Sequence, residues 1–325
     1  MAQATIDREP GGTLTSKGRG AAADTVFRYA ALGAGLSILL VLGGIAVSTT
    51  QKAWPAFAKA GLSYVFTDNW NPNTGDFGAL SFIYGTIVVS LIAVIVAVPV
   101  SVGIALFVTE VAPRRWRGLL TTVIDLLAAV PSVVFGLWGF LVLRPQLKDL
   151  FNWIADKVHD VPVVHSVLGP SLSGQSFMSA GLIVALMITP IITSITREVF
   201  LTVPRNDKDG ALALGATRWE MIKGVVLPHS SSGVTGAVML GLGRAMGETI
   251  AIALVIGASP QIVPNLFAQG EAMPSVIARN LNESSGDYQA ALIGLGVVLF
   301  VLTILVNIAA RHLVARFDQS LKGAT

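Results

Sequence analysis

Two ionisable residues lie inside a strongly apolar stretch of the chain. Arg244 and Glu248 are four residues apart within the segment 241–249, whose sequence is GLGRAMGET. A charged side chain at the centre of a bilayer costs about 2.5–3.5 kcal/mol even on a lenient insertion scale, so both must face protein or water. The i, i+4 spacing places them on one face of a helix, where they can pair. The planar fork of an arginine also suits an oxyanion, because it donates two hydrogen bonds to adjacent oxygens.

This pattern allows two interpretations, an anion pathway and a structural ion pair, and we favour the first because intramembrane charges commonly mark pathways. In that interpretation Arg244 contacts the anion, and Glu248 moderates the positive charge so that the anion is not trapped. Glu110 and Asp125 lie on either side of an arginine-rich loop. We interpret these two residues as structural charges.

Several kinds of chemistry are excluded by what the sequence lacks. It contains no cysteine, which excludes thiolate metal sites, disulfides and cysteine nucleophiles. It has no His-Glu-x-x-His, Gly-x-Ser-x-Gly or Gly-x-x-x-x-Gly-Lys-Ser/Thr pattern, and therefore none of the usual metalloprotease, serine hydrolase or phosphate-loop ATPase sites. We predict a protein that is not an enzyme, with no catalytic residue, metal site or cofactor.

The elements that position these charges are apolar helices. Of 325 residues, 53% are hydrophobic and only 13% are charged, and the mean hydropathy is +0.70. A soluble domain carries about 25% charged residues, and a helix needs about 20 apolar residues to cross a bilayer. We therefore predict an all-α polytopic membrane protein. Its six transmembrane helices are expected at residues 30–49, 79–108, 119–143, 176–196, 233–257 and 288–310. Pro99, Pro131 and Pro190 offer places where three of these helices can bend.

The distribution of positive charge predicts the orientation. With six spans, the termini and the loops on their side hold fifteen lysines and arginines, and the loops on the other side hold six. By the positive-inside rule, both termini are cytoplasmic. We expect a flexible tail over 1–28, a six-helix transmembrane domain over 29–315 and a short tail over 316–325. The outer segments 50–78 and 144–175 are long enough to contact another protein or to cap the bundle.

The longest cytoplasmic connection, residues 197–229, has the pattern of a folded segment. Thr217 and Glu220 form a Thr-x-x-Glu capping box, which predicts a short helix after Thr217 and a turn at Gly215. Apolar residues at steps of three and four give this segment one apolar stripe, which needs a partner surface. The stripe consists of Leu212, Gly215, Trp219, Ile222 and Val226.

The spacing of this connection resembles the loop of ABC importer permeases that reads Glu-Ala-Ala, three residues, Gly, nine residues, Ile-x-Leu-Pro. In that family the loop forms coupling helices that sit in a groove of the ATPase subunit. This chain has Asp in place of Glu, Gly in place of the first Ala and Val in place of Ile. The resemblance implies that the residues coupling the chain to an ATPase are Asp209, Gly210, Ala211, Gly215, Trp219, Leu227 and Pro228.

Further segments narrow the resemblance to the permease subunits of phosphate-specific ABC importers, a branch of the MetI-like family of binding-protein-dependent permeases. They are GALSFIYGT over 78–86, the stretch 125–139 with its Pro-Ser-Val-Val-Phe-Gly sequence, and 243–249. The first two favour PstC-type over PstA-type subunits. The resemblance implies a MetI-like bundle in a bacterial inner membrane and links Arg244 and Glu248 to phosphate passage. The implied partners are a PstA-like permease, a PstB-like ATPase dimer that binds the ATP, and a PstS-like phosphate-binding protein, within membrane lipid and without nucleic acid.

Two other functions stay open on the residues alone. The arginine argument fits sulfate or molybdate as well as phosphate, so an ABC permease for another oxyanion is the first alternative. A proton-coupled secondary transporter that uses Glu248 and Asp125 as a relay is the second. The folded segment 197–229 argues against the second alternative, because such a transporter needs no ATPase.

Overall fold

In the computed structural model, residues 21–322 are described, and side chains are described for residues 24–312. Most of this part of the chain is helical and it contains only two short strands, which confirms the all-α prediction. The elements in chain order are α1 Ala21–Ala60, α2 Ser63–Phe66, β1 Trp70–Asn71, β2 Asp76–Phe77, α3 Leu80–Leu106, α4 Arg114–Ala129, α5 Ser132–Trp138, α6 Arg144–Lys157, α7 Pro162–Val167, α8 Phe177–Leu201, α9 Arg205–Ala213, α10 Arg218–Met221, α11 Leu227–Met246, α12 Ile250–Val255, α13 Met273–Asn280 and α14 Gly286–Lys322. Single π-helical turns follow α3, α5 and α10, at Phe107–Val111, Gly139–Leu143 and Ile222–Val226.

Five helical stretches are long and apolar enough to cross a membrane, and the number is six if a sharply bent pair counts as one span. Five of the six predicted spans overlap these stretches, and the predicted third span, 119–143, falls on the bent pair. The five stretches are Asp24–Ala60, Leu80–Val111, Phe177–Leu201, Arg218–Met246 and Gly286–His312. The bent pair is Arg114–Ala129 with Ser132–Lys157, and its two arms meet at 87°.

The chain divides into two units between Ser48 and Thr49. In the first unit the described residues are 21–48, which form the first part of α1 with nearly all of their apolar side chains exposed. Residues 21–28 of the predicted tail are helical, because alanine favours helix and Asp24 lies in the positive first turn. The rest of that tail lies outside the described residues. The predicted tail 316–325 is helical up to Lys322, where α14 ends.

The third span, predicted over 119–143 with a place to bend at Pro131, is broken at that proline. The helix ends at Ala129, and Val130 and Pro131 are extended with ψ of 127° and 139°. Proline has no backbone N–H and pushes the residue before it out of the helical region, which explains the break. Pro99 and Pro190, in contrast, lie inside uninterrupted helices.

The main core of the second unit lies where α3, α8, α11 and α12 pack together. Its centre includes Ile92, Ile183, Ile188 and Ile252, all buried. Gly241 of α11 allows a close approach, because a Cβ there would lie 2.6 Å from the Ile192 side chain of α8. Close helix packing at small residues is typical of membrane bundles, and it holds α11 in a defined position.

A smaller cluster covers the end of the bundle that carries the connection from α12 to α14. Trp70 of the β1–β2 hairpin contacts Phe77, Phe82 and Tyr288 with ring centroids 4.8–6.3 Å apart. The buried Glu271 accepts a 2.6 Å hydrogen bond from Ser275 and forms an ion pair with Arg279 of α13.

Burial raises the pKa of the Glu271 carboxyl, and the Ser275 and Arg279 donors oppose that shift. The cluster is therefore held by a polar network as well as by apolar contact. The aromatic residues of the β1–β2 hairpin belong to the same cluster, so the predicted outer segment 50–78 packs locally on α3 and α14.

Candidate functional site

Arg244 lines an open groove of about 870 Å³ between α11 and α14. The wall from α11 follows helical steps of three and four, and so does the wall from α14. The α11 wall consists of Ser232, Thr235, Gly236, Met239, Leu240, Gly243 and Arg244, and the α14 wall of Phe300, Thr303, Ile304, Asn307, Ile308 and Arg311. The groove therefore runs along both helices, with the Arg244 guanidinium exposed in one wall.

Arg244 and Glu248 do not pair as the helical spacing predicted. Among the side chains of residues 24–312, neither residue forms an ion pair. The predicted fifth span, 233–257, is interrupted: α11 ends at Met246 and α12 begins at Ile250. Glu248 lies in the break, buried, and its Oε1 accepts the backbone N–H of Ala251 at 3.3 Å.

The break has a local cause. Gly247 is a poor helix former, and the Thr249 hydroxyl donates to the Gly247 carbonyl at 3.1 Å, which competes with helical hydrogen bonding. A carboxylate near the first turn of α12 is stabilised by free N–H groups and by the helix dipole. As a result, Arg244 is exposed to the groove, whereas the Glu248 carboxyl lies against the first turn of α12.

Sequence reasoning missed the α14 wall of this groove. Thr303, Asn307 and Arg311 recur at steps of four on a helix that is otherwise apolar, and all three line the groove. That polar stripe is visible in the sequence, but Arg311 was counted only as a cytoplasmic charge after the last span. A period-four search for polar residues within each span would have found it.

Asp125, interpreted from the sequence as a structural charge, contacts a neighbouring helix rather than the arginine-rich loop. Its Oδ1 accepts a 3.3 Å hydrogen bond from Ser194 of α8, and its side chain is exposed on α4. Within the described part of the chain it forms no ion pair with the nearby arginines. The Nε of Arg117 donates instead to the Ala112 carbonyl at 2.9 Å.

The predicted capping box is present. The Thr217 side chain accepts the N–H of Glu220 at 3.3 Å, and Glu220 accepts the N–H of Thr217 at 2.7 Å, at the start of α10. The Thr217 N–H and the Thr217 hydroxyl both donate to the Glu220 carboxylate, and these two hydrogen bonds lower its pKa. The turn predicted at Gly215 is also present, with a φ of +89° that suits glycine.

The predicted apolar stripe divides into two parts. Ile222 and Val226 are buried with Phe200 at the end of α8, whereas Trp219 is 63% exposed. The reason is that the chain turns at Gly215 and passes through a π-helical turn after α10, so a single helical period does not hold across the segment.

Most residues implied in ATPase coupling share one exposed surface around α9 and α10. Asp209, Gly210, Gly215, Trp219 and Pro228 are exposed, and Ala211 and Leu227 are half-buried against the Phe200 cluster. Leu214, which the sequence analysis left out, is 91% exposed beside Gly215.

This surface is tied to a membrane span by an ion pair. Lys208 Nζ of α9 lies 2.6 Å from Glu110 Oε1, in the π-helical turn at the end of α3. Lys208 also donates to the carbonyl of Phe200 at 3.4 Å. Lys208 and Glu110 are 98 residues apart in the sequence, so Lys208 joins α9 to the end of α3 and, through the Phe200 carbonyl, to α8.

Comparison with known proteins identifies the family. A family model described as a binding-protein-dependent transport system inner membrane component matches residues 97–319. A phosphate transport system permease protein PstC of Mesorhizobium japonicum is 40% identical over 302 residues, which cover 92% of each chain. The chain belongs to the PstC family.

Other members of the PstC family support this assignment. A PstC of Xylella fastidiosa is 43% identical over 303 residues, 93% of each chain, and PstC 1 of Mycobacterium tuberculosis is 39% identical over 291 residues, 83% of this chain and 86% of its own. The PstC family consists of transport permeases, and the chain is accordingly a multi-pass membrane protein.

Solved structures agree on the fold. A bacterial alginate ABC transporter in complex with its alginate-bound periplasmic protein contains a chain that aligns with a TM-score of 0.61 at 16% identity, covering 91% of this chain and 96% of its own. A second alginate importer structure aligns with a TM-score of 0.55 at 15% identity, covering 90% and 96%. The bundle is thus a MetI-like ABC permease fold.

Proposed function

We propose that this chain is the transmembrane permease subunit of an ATP-driven importer for inorganic phosphate. It forms half of the translocation pathway together with a PstA-like permease. A PstB-like ATPase dimer docks on the α9–α10 surface and binds the ATP, so the chain itself needs no cofactor. A PstS-like binding protein delivers phosphate at the opposite face of a bacterial inner membrane, and both termini are cytoplasmic.

One observation carries this proposal: Arg244 is exposed in a groove that extends along two spanning helices, and its expected counter-ion is directed elsewhere. A guanidinium in such a groove can bind two oxygens of a tetrahedral oxyanion and compensate its charge at low dielectric. Glu248 has a different role in this proposal: its carboxyl accepts the Ala251 N–H in the buried break, so it does not compete with the anion for the Arg244 guanidinium.

The direction of coupling follows from the Lys208–Glu110 pair. When ATP draws the two ATPase subunits together, they move the α9–α10 surfaces of the two permeases. Lys208 passes that displacement to α3 through Glu110, and the buried contacts of Ile222 and Val226 pass it to α8. The core packing of α3 and α8 on α11 then carries the movement to Arg244.

The phosphate specificity rests on the PstC relatives, because the chemistry of Arg244 suits other oxyanions equally well. Sulfate or molybdate import is the alternative within the same class. A proton-coupled transporter has less support, since the exposed α9–α10 surface with Trp219 and Leu214 would then have no partner.

The test is uptake of radiolabelled phosphate into proteoliposomes that contain this chain with PstA-like and PstB-like subunits and added PstS-like protein. We expect uptake to require internal ATP and to be lost in Arg244→Gln, with the complex still assembled. Arg115→Gln is the matched control, because it removes an exposed arginine from α4 outside the groove and should leave uptake unchanged.

Three results would contradict the proposal. Uptake that Arg244→Gln leaves intact would reduce Arg244 to a structural role. Uptake of sulfate or molybdate in place of phosphate from the same assembled complex would change the substrate. Uptake that continues without ATP and stops when the proton gradient is collapsed would favour the secondary transporter.

A further inference from the structure

The end of the groove farthest from Arg244 has a polar composition that lipid contact does not explain. Thr303, Asn307 and Arg311 follow one another at steps of four along α14, and Ser232 and Thr235 stand in the facing wall of α11. Stretch Gly286–His312 is otherwise among the most apolar of the chain. Thr303 and Asn307 lie within the span, where polar residues commonly face protein or a water-filled cavity, and Arg311 lies at the end of the span.

The hydrogen bonds of these side chains show which donors are left. The Thr303 hydroxyl donates its only hydrogen to the Leu299 carbonyl at 2.7 Å, so it has no donor left. Asn307 Nδ2 donates one hydrogen to the Thr303 carbonyl at 2.9 Å, and its amide carries a second. Arg311 forms no ion pair with any side chain in the described range 24–312. The free donors of this face therefore belong to the Arg311 guanidinium and the Asn307 amide, which lie one helical turn apart.

The position of this cation relative to Arg244 follows from helix geometry. As consecutive spans, α11 and α14 run in opposite directions, so Arg311 lies near the level of Ser232, at the end of the groove close to the α9–α10 segment. Ser232 and Arg244 are twelve residues apart on α11, which is about 18 Å along the helix. That distance is too long for one small anion to contact both guanidinium groups and short enough for one groove to join them.

We propose that Arg311 and Asn307 form a second site for a phosphate group, at the end of the groove opposite Arg244. The guanidinium donates two hydrogen bonds to adjacent oxygens, and the free Asn307 N–H donates to a third. Inorganic phosphate passing along the groove and the phosphate of a lipid headgroup share this chemistry. As an exit site for the transported anion, the assignment rests on the proposed function.

The absence of cysteine from the sequence makes a direct test possible. Ile308→Cys places one thiol in the groove wall, one turn from Arg311, without changing either residue of the site. The complex is reconstituted in phosphatidylcholine vesicles, and the labelling rate of this chain with an anionic methanethiosulfonate is measured with and without inorganic phosphate. Leu305→Cys, on the same helix but outside the groove, is the matched control.

We expect phosphate to slow labelling of Ile308→Cys by a factor of about 1 + [L]/Kd, which is about fivefold at four times the Kd. Chloride at equal ionic strength should have no such effect, and Leu305→Cys should label at a constant rate. Adding Arg311→Gln should abolish the protection, and Arg311→Lys should retain part of it, because lysine keeps the charge but lacks the planar fork.

A second set of vesicles that contain phosphatidylglycerol distinguishes the two sources of the phosphate group. Protection by inorganic phosphate in phosphatidylcholine supports the site with the free anion as its ligand. Protection only in phosphatidylglycerol vesicles, lost in Arg311→Gln, supports the site with a lipid headgroup as its ligand. A labelling rate that changes with neither inorganic phosphate nor phosphatidylglycerol, or protection that survives Arg311→Gln, overturns the proposal.

Phosphate uptake by the complex with the unsubstituted chain, in the same vesicles, separates this proposal from the proposed function. Uptake without protection at residue 308 refutes the second site and leaves the importer function standing. Protection without uptake supports the site and refutes the function.

Discussion

The Lys208–Glu110 ion pair should transmit force between the α9 surface and the membrane helices. The two side chains are only 16% and 12% exposed, with Nζ and Oε1 2.6 Å apart. Exposed pairs contribute up to about 1 kcal/mol, and removing one partner of a fully buried pair costs about 3–5 kcal/mol. We therefore expect Glu110→Gln or Lys208→Met to weaken the attachment of α9 to α3 by about 2 kcal/mol, between these limits. That is a factor of about 30 in the attachment equilibrium.

The assay is ATP hydrolysis by the reconstituted complex, expressed as the ratio of the rate stimulated by the binding protein to the basal rate. Each single substitution should lower this ratio, because closure of the ATPase is less well linked to the span. The exchange Glu110→Lys with Lys208→Glu should recover much of it by restoring the pair in reverse.

Glu198→Gln is the matched control for this experiment. It removes a 2.5 Å ion pair with Arg197 that lies within α8 alone and joins no two elements. An exchange variant as defective as the single variants, with no coupling energy in the double-mutant cycle, would refute the transmission argument.

Two further predictions concern the same segment. Gly210→Ala should stabilise α9 by about 1 kcal/mol, because Gly210 is helical and a Cβ there meets nothing within 4 Å. Gly215→Ala should destabilise the turn, because the φ of Gly215 is +89°. The thermal unfolding temperature of the purified complex should therefore shift in opposite directions for the two variants, and shifts of equal sign would contradict the assignment. Because the folded pKa of Glu220 is below its unfolded value, the capping box contributes stability above the unfolded pKa and loses it as pH falls through the folded value. Hydrogen exchange at the Thr217 and Glu220 amides should therefore lose protection in acid, and protection that is independent of pH would show that the carboxylate is not the cap.

The predictions that held were those made from local chemistry. The capping box at Thr217 and the turn at Gly215 depend on a few neighbouring residues, and both are present in the structure. Five of the six predicted spans are long apolar helices in the structure, because a bilayer requires such helices whatever the packing. The break at Pro131 was also accessible, since proline removes a donor at a fixed position.

The predictions that failed assumed that one helical period continues through a glycine or a π-helical turn. The stripe from Leu212 to Val226 lost its register at Gly215, and its apolar residues separated into a buried and an exposed group. The groove between α11 and α14 was beyond the sequence for another reason. Its walls come from two spans that only tertiary packing brings together.

Gly247 is the residue that turns an expected ion pair into two separate functional groups. In a continuous helix, Glu248 would lie one turn from Arg244 and neutralise it, and the groove would then present little net charge to an anion. The break moves Glu248 to the first turn of α12, where the N–H of Ala251 satisfies its carboxylate. Helix N-termini stabilise a carboxylate without a counter-ion, so the positive charge of Arg244 remains available in the groove. A short irregular segment inside a span is tolerated where it is buried in protein or lines a cavity, and here it leaves Arg244 without an ion-pair partner among the described side chains, at one end of the groove.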